Sequence, residues 1–123
     1  MIALLGPPPN QIPNDPSIQI GQPTSRSHGI ALRPDEKELW MCDVYHDRTY
    51  VFDLTVEPPK QIATLVMKGG GYWIAFSPDG KFCYISERIG DSVAVFDTAT
   101  RKTVARIKVG KAPKRLLVVD VGK

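Results

Sequence analysis

From Ile30 onward, short β-branched and aromatic runs alternate with turn residues at intervals of roughly 8–12 residues, the pattern of many short antiparallel strands. No stretch keeps the i, i+3, i+4, i+7 apolar spacing of an amphipathic helix. The pattern is clearest late in the chain, where it predicts strands at about 72–77, 82–87, 92–97 and 103–109. Ser77-Pro78-Asp79-Gly80-Lys81 turns the chain between the first two, because proline supplies a φ of about −65° and glycine accepts a positive φ. Asp97-Thr98-Ala99-Thr100 closes a later hairpin through side chains that hydrogen-bond local backbone. Val93-Ala94-Val95-Phe96 is apolar at every position, which predicts a strand covered on both faces. Ala105, Ile107 and Val109 alternate with Arg106 and Lys108, which predicts an outer strand covered on one face. Residues 7–23 hold six of the 11 prolines and read as an irregular extended lead ending in Ile18-Gln19-Ile20.

The same texture recurs at a fixed period. Ile30-Ala31-Leu32-Arg33-Pro34-Asp35 aligns with Ile74-Ala75-Phe76-Ser77-Pro78-Asp79, an offset of 44 (74 minus 30). That offset carries Trp40 onto Tyr84, Asp43 onto Glu87 and Val51-Phe52-Asp53 onto Val95-Phe96-Asp97. Past Glu57-Pro58-Pro59 it falls to 42, with Ile62 on Val104 and Leu65 on Ile107, so the first repeat carries two extra residues in a turn. At 42, Ile74-Ala75-Phe76 continues onto Leu116-Leu117-Val118, while Ile107-Lys108-Val109-Gly110 matches Ile18-Gln19-Ile20-Gly21. A four-stranded sheet covered on both faces by its own copies is a β-propeller blade. The expected fold class is all-β: β-propeller blades, each a four-stranded antiparallel sheet with a period of 42–44, in an incomplete ring. A Pro-rich lead over 1–16 precedes a partial propeller over 17–123, with complete blades at about 28–68 and 72–110 and partial blades at both ends.

Several segments closely resemble the YVTN-type, WD40-like β-propeller repeat. They are Phe76-Ser77-Pro78-Asp79-Gly80-Lys81, Tyr84-Ile85-Ser86, Asp91 to Thr100, Thr103-Val104-Ala105-Arg106-Ile107 and Val109-Gly110-Lys111-Ala112-Pro113. Ser27-His28-Gly29-Ile30-Ala31-Leu32, Pro34-Asp35, Leu39-Trp40-Met41 and Val51-Phe52-Asp53 resemble it less closely. Glu36 stands where the repeat has its hairpin glycine, so the first hairpin is either rebuilt or strained by about 1 kcal/mol. The resemblance implies relatives among secreted or periplasmic seven-bladed propellers, propeller parts of nitrite and nitrous oxide reductases, and propeller lactonases. It implies a periplasmic or extracellular parent and no single reaction. Closed rings take typically 4–8 blades, so 123 residues are expected to be a fragment of a longer protein, or else a unit that self-associates through open blade edges.

Sixteen Lys and Arg against 13 Asp and Glu leave a net charge of +3, with the basic residues scattered apart from a cluster near the C-terminus, so no nucleic-acid partner is expected. The longest apolar runs, such as Met1 to Leu5 and Leu116 to Val119, fall far short of the ~20 residues of a membrane span. Ile2-Ala3-Leu4-Leu5 runs at once into Gly6-Pro7-Pro8-Pro9, so no secretory signal is expected either. Cys42 and Cys83 occupy different repeat positions and read as small core residues without a disulfide.

In a propeller, the loop from strand two to strand three and the loop between blades share one face, around the channel. That face is the default binding site, for a protein or small-molecule ligand, and its candidates are His28, Asp43, Tyr72, Trp73, Glu87, Arg88 and Arg115. His28 shares its repeat position with Tyr72 and Lys114, so no ring of histidines forms, and one imidazole does not define a metal site. Asp43 and Glu87 are equivalent; side by side they would suit a hard cation, whereas pairing with Arg48, Arg88 or Arg115 is the structural expectation. Lys68-Gly69-Gly70-Gly71 lacks the ending and the following helix of a phosphate loop, and reads as the connection between blades. Tyr72 and Trp73 would either stack on a ligand or pack between blades. No nucleophile with its base is apparent. The expected entity is a non-enzymatic ligand- or protein-binding scaffold module without catalytic residues, resident metal or cofactor; metal or haem would belong only to a complete redox propeller. The alternative is part of a propeller enzyme or electron-transfer protein, lactonase-like or haem/copper reductase-like.

Overall fold

The computed structural model describes residues 27–122; the Pro-rich lead and the expected strand at Ile18-Gln19-Ile20 lie outside them. The described chain has no helix. Its strands are β1 (Ser27–Leu32), β2 (Glu38–Asp43), β3 (Arg48–Asp53), β4 (Lys60–Val66), β5 (Gly71–Phe76), β6 (Phe82–Glu87), β7 (Ser92–Asp97) and β8 (Thr103–Lys108). They form two antiparallel meanders, β1-β2-β3-β4 and β5-β6-β7-β8. All four strands expected in the second repeat are present within a residue of their expected ends.

The backbone repeats as the offset requires. Arg33 N–H donates to the Glu38 carbonyl at 2.9 Å, and its equivalent Ser77 donates to Phe82 at the same distance. Leu54 to Lys37 is matched by Thr98 to Lys81, and Met67 to Asp47 by Val109 to Asp91. Asp47 and Asp91 both adopt left-handed backbone, with φ of 53° and 52°. The first hairpin is not rebuilt: Glu36 takes φ 61° where Gly80 takes 72°, and each N–H closes the same turn. The ladder around the turn therefore outweighs the penalty of a Cβ in the left-handed region.

The core lies between the two sheets. Trp40, Cys42 and Val51 of the first pack against Ile74, Cys83, Ile85, Ala94 and Phe96 of the second. Trp40 meets Phe76 and Phe96 edge-on, at ring separations of 5.5 and 6.5 Å. A second cluster, Met41, Tyr50 and Phe52, covers the far face of the first sheet, as a both-faces-apolar pattern demands. Both cysteines are free and buried, as read; burial pushes the Cys42 thiol up to about 12 and raises that of Cys83 as well. β4 alternates exposed and half-buried positions as an outer strand should, but β8 is exposed along its whole length. The expected half-burial of β8 fails because no described residue packs on its far face. Leu116-Leu117-Val118 likewise forms no strand, since no described neighbour offers it a ladder.

Candidate functional site

Antiparallel meanders put alternate connections at opposite ends of a sheet. The β2–β3, β4–β5 and β6–β7 connections, with the start of β1 and β5, therefore gather at one end. The two sheets approach closely there. Gly29 of β1 lies so near β5 that an added Cβ would stand 2.6 Å from the Trp73 Cα and 2.7 Å from the Tyr72 carbonyl oxygen. This contact holds the flanking residues together: the His28 ring stacks on the Tyr72 ring, centroids 4.4 Å apart with an interplanar angle of 21°.

The loops add cations to the stack. Arg88 Cζ and Lys114 Nζ each lie 5.9 Å from the Tyr72 ring centroid, and Arg115 Cζ lies 5.2 Å from that of Trp73. Lys114 is held there because its carbonyl accepts a hydrogen bond from Ser86 Oγ, which itself accepts from the Trp73 N–H at 3.1 Å. His28, Tyr72 and Lys114 thus occupy one repeat position in three successive units and meet in space. Five of the candidates, His28, Tyr72, Trp73, Arg88 and Arg115, belong to this cluster.

Asp43 and Glu87 do not join it, and neither takes its expected arginine partner. Asp43, 5% exposed, shares a 2.6 Å hydrogen bond with His46 Nδ1 and accepts from the Tyr45 and His46 N–H groups and the Tyr50 hydroxyl. It is the anchor of its own loop. Glu87, 1% exposed, accepts from Arg106 Nε at 2.9 Å, the Ser92 hydroxyl and the Gly69 N–H, and so ties the β4–β5 connection to β7 and β8. By sequence Arg106 reads only as the solvent side of β8, and the spacing of His46 from Asp43 gives no signal of their partnership. No group of three or more metal-ligating side chains forms among the described residues. Asp47 stands near Arg48 and Arg88, and burial is the main influence on its carboxyl, raising its pKa.

A concavity of about 370 Å³ opens at the opposite end, between the hairpin turns, lined by Arg33, Asp35, Asp79, Lys81, Asp97 and Thr98 among others. Its carboxylates are engaged in the turns themselves: Asp35 with Arg33, Asp79 with the Ser77 hydroxyl, Asp97 with the Thr100 N–H. It is a seam between turns, whereas at the loop end Arg88, Lys114 and Arg115 lie against aromatic rings and form no ion pair among the described residues.

Solved structures share this architecture. The hydrazine synthase of Kuenenia stuttgartiensis matches over 78% of this chain with a TM-score of 0.67 and 24% identity. The periplasmic gluconolactonase of Pseudomonas aeruginosa matches over 78% with 0.66 and 21%, and a candidate 6-phosphogluconolactonase of Bacteroides fragilis over 76% with 0.67 and 22%. The two sheets are propeller blades. At these identities the likeness speaks for the fold alone, and this chain spans only 28–29% of the length of those proteins. Neither a family model nor a curated protein matches the chain.

Proposed function

We propose that these blades belong to a YVTN-type propeller and act as a ligand- or protein-binding scaffold module rather than as a catalyst. The observation that carries this reading is the His28–Tyr72 stack ringed by Arg88 and Lys114, recognition chemistry drawn from successive units, while the acids beside it are consumed by local hydrogen bonds. A carboxylate engaged by three donors, as Glu87 is, is a poor general base. The module needs no cofactor of its own, and the periplasm or cell exterior is its proposed setting. The test is a ligand-observed NMR screen of the whole chain against small polar metabolites. Binding that disappears in Tyr72→Ala supports the reading; binding that persists there moves the site elsewhere.

A second reading, part of a propeller enzyme or electron-transfer protein, draws support from the lactonases and the hydrazine synthase among the structural neighbours. Hydrolysis of D-glucono-1,5-lactone above the spontaneous rate, abolished by Glu87→Gln, would favour it over the scaffold. Self-association is proposed as well: Val104, Ile107, Leu117, Val119 and Val121 are exposed on and beyond β8. Sedimentation velocity should show oligomers, and a monomer at all concentrations would count against them.

A further inference from the structure

We infer that the loop-end cluster takes a small oxyanion, a carboxylate or phosphate group, against His28, Arg88 and Lys114; this rests on the binding site proposed above. Two buried nitrogens there, His28 Nε2 and Arg88 Nε, have no hydrogen-bond partner among the described residues. Buried polar atoms are nearly always satisfied, so two orphans on side chains that touch one ring point to an absent acceptor. The sign of the local charge says which kind. Arg88, Lys114 and Arg115 form no ion pair among the described residues, where all five ion pairs are made by other groups. Asp43 and Glu87 face their own partners, and Asp47, which stands near Arg88, is disfavoured as an anion by burial. A cation would find no ligand set here. A neutral ring would find the Tyr72 face already covered by His28 at 4.4 Å. An oxyanion instead meets the guanidinium, the imidazole N–H and the ammonium, all donors that strengthen on a charged acceptor. Lys114 is exposed, and its flexible four-carbon stem lets it swing aside to admit the anion and close over it.

His28 and His46 are the only histidines, so their ring C–H signals report the site and an internal control. The whole chain is titrated with inorganic phosphate, with acetate and with glucose at constant ionic strength. The expected result is a saturable shift of the His28 signals by phosphate or acetate, with His46 still. Affinity should fall about tenfold or more in Arg88→Gln, which loses a charged hydrogen bond. It should fall a few fold in Lys114→Gln, an exposed position whose change leaves the core intact. The stronger of the two anions assigns phosphate or carboxylate. Anion shifts that ignore both variants, or no anion shift at all, overturn the inference. If glucose alone moves His28, the binding site stands and its anionic character is refuted; if no probe moves it, the loop-end site falls as well.

Discussion

Arg101 Nη2 of the second sheet donates to Glu38 Oε1 of the first at 2.8 Å, crossing the seam between the blades. Glu38 is almost wholly buried and also serves Arg33 at 3.2 Å and the Trp40 indole N–H at 2.9 Å. A backbone turn of φ 58° at Arg101 brings its side chain to this point. One carboxylate thus joins the hairpin of one blade, the core tryptophan and the hairpin of the next.

Removing the two ends of this contact should have unequal consequences. Glu38→Gln leaves two arginines facing a neutral amide in a buried place and should destabilise by about 3 kcal/mol. Arg101→Met keeps the apolar stem and leaves Glu38 two partners, so about 1 kcal/mol is expected. Urea denaturation of the two variants distinguishes them, and equal effects would mean that the clasp across the seam, not the buried carboxylate, dominates.

The equivalent hairpins make a matched pair. Glu36→Gly should stabilise by up to about 1 kcal/mol by relieving left-handed strain, net of the entropy that glycine adds to the unfolded chain. Gly80→Val should destabilise by about 1–2 kcal/mol; the space is open, with Pro34 Cδ 3.5 Å from an added Cβ, so the cost is conformational. Chemical denaturation measures both, and a neutral Gly80→Val would contradict the turn.

Gly29→Ala is predicted to be the most disruptive single methyl. Its Cβ would meet backbone atoms of Tyr72, Trp73 and Ile74 within 2.9 Å, and backbone cannot step aside as a side chain can. The sheets must separate at the loop end, at about 2–3 kcal/mol. The upfield ring-current shift of His28 stacked on Tyr72 should shrink; an unchanged His28 spectrum would show that the close approach does not set the stack.

Acid should weaken the fold through its turns. The Arg33 guanidinium beside Asp35 lowers its carboxyl to about 2; the Ser77 hydroxyl lowers Asp79, and the Thr100 N–H lowers Asp97. Folded-state values below those of the unfolded chain mean stability that is full above about pH 4 and is lost as pH falls toward 2. Thermal melts from pH 6 to pH 2 should show that fall, with a shallower slope in Asp35→Asn. A flat profile would refute the assignment.

Much of this architecture was legible in the chain. The offset of 44 maps turn onto turn because a meander of fixed strand length needs its turns at fixed intervals, and apolarity at every position, rather than at alternate ones, marks the sandwiched strands. His28, Tyr72 and Lys114 were recognisable as equivalents, and equivalents in adjacent blades sit side by side. What tertiary structure alone decided was pairing. Glu87 chose Arg106, 19 residues away, over its neighbour Arg88, and Glu38 chose Arg101 at a separation of 63. Such choices depend on which face of a strand a side chain leaves and on what another sheet offers at that height. The hairpin at Glu36 was decided in the same way: local preference opposed a left-handed glutamate, and the cooperative ladder of β1 and β2 imposed it. Local chemistry is written residue by residue, whereas the competition among partners is resolved only when the sheets meet.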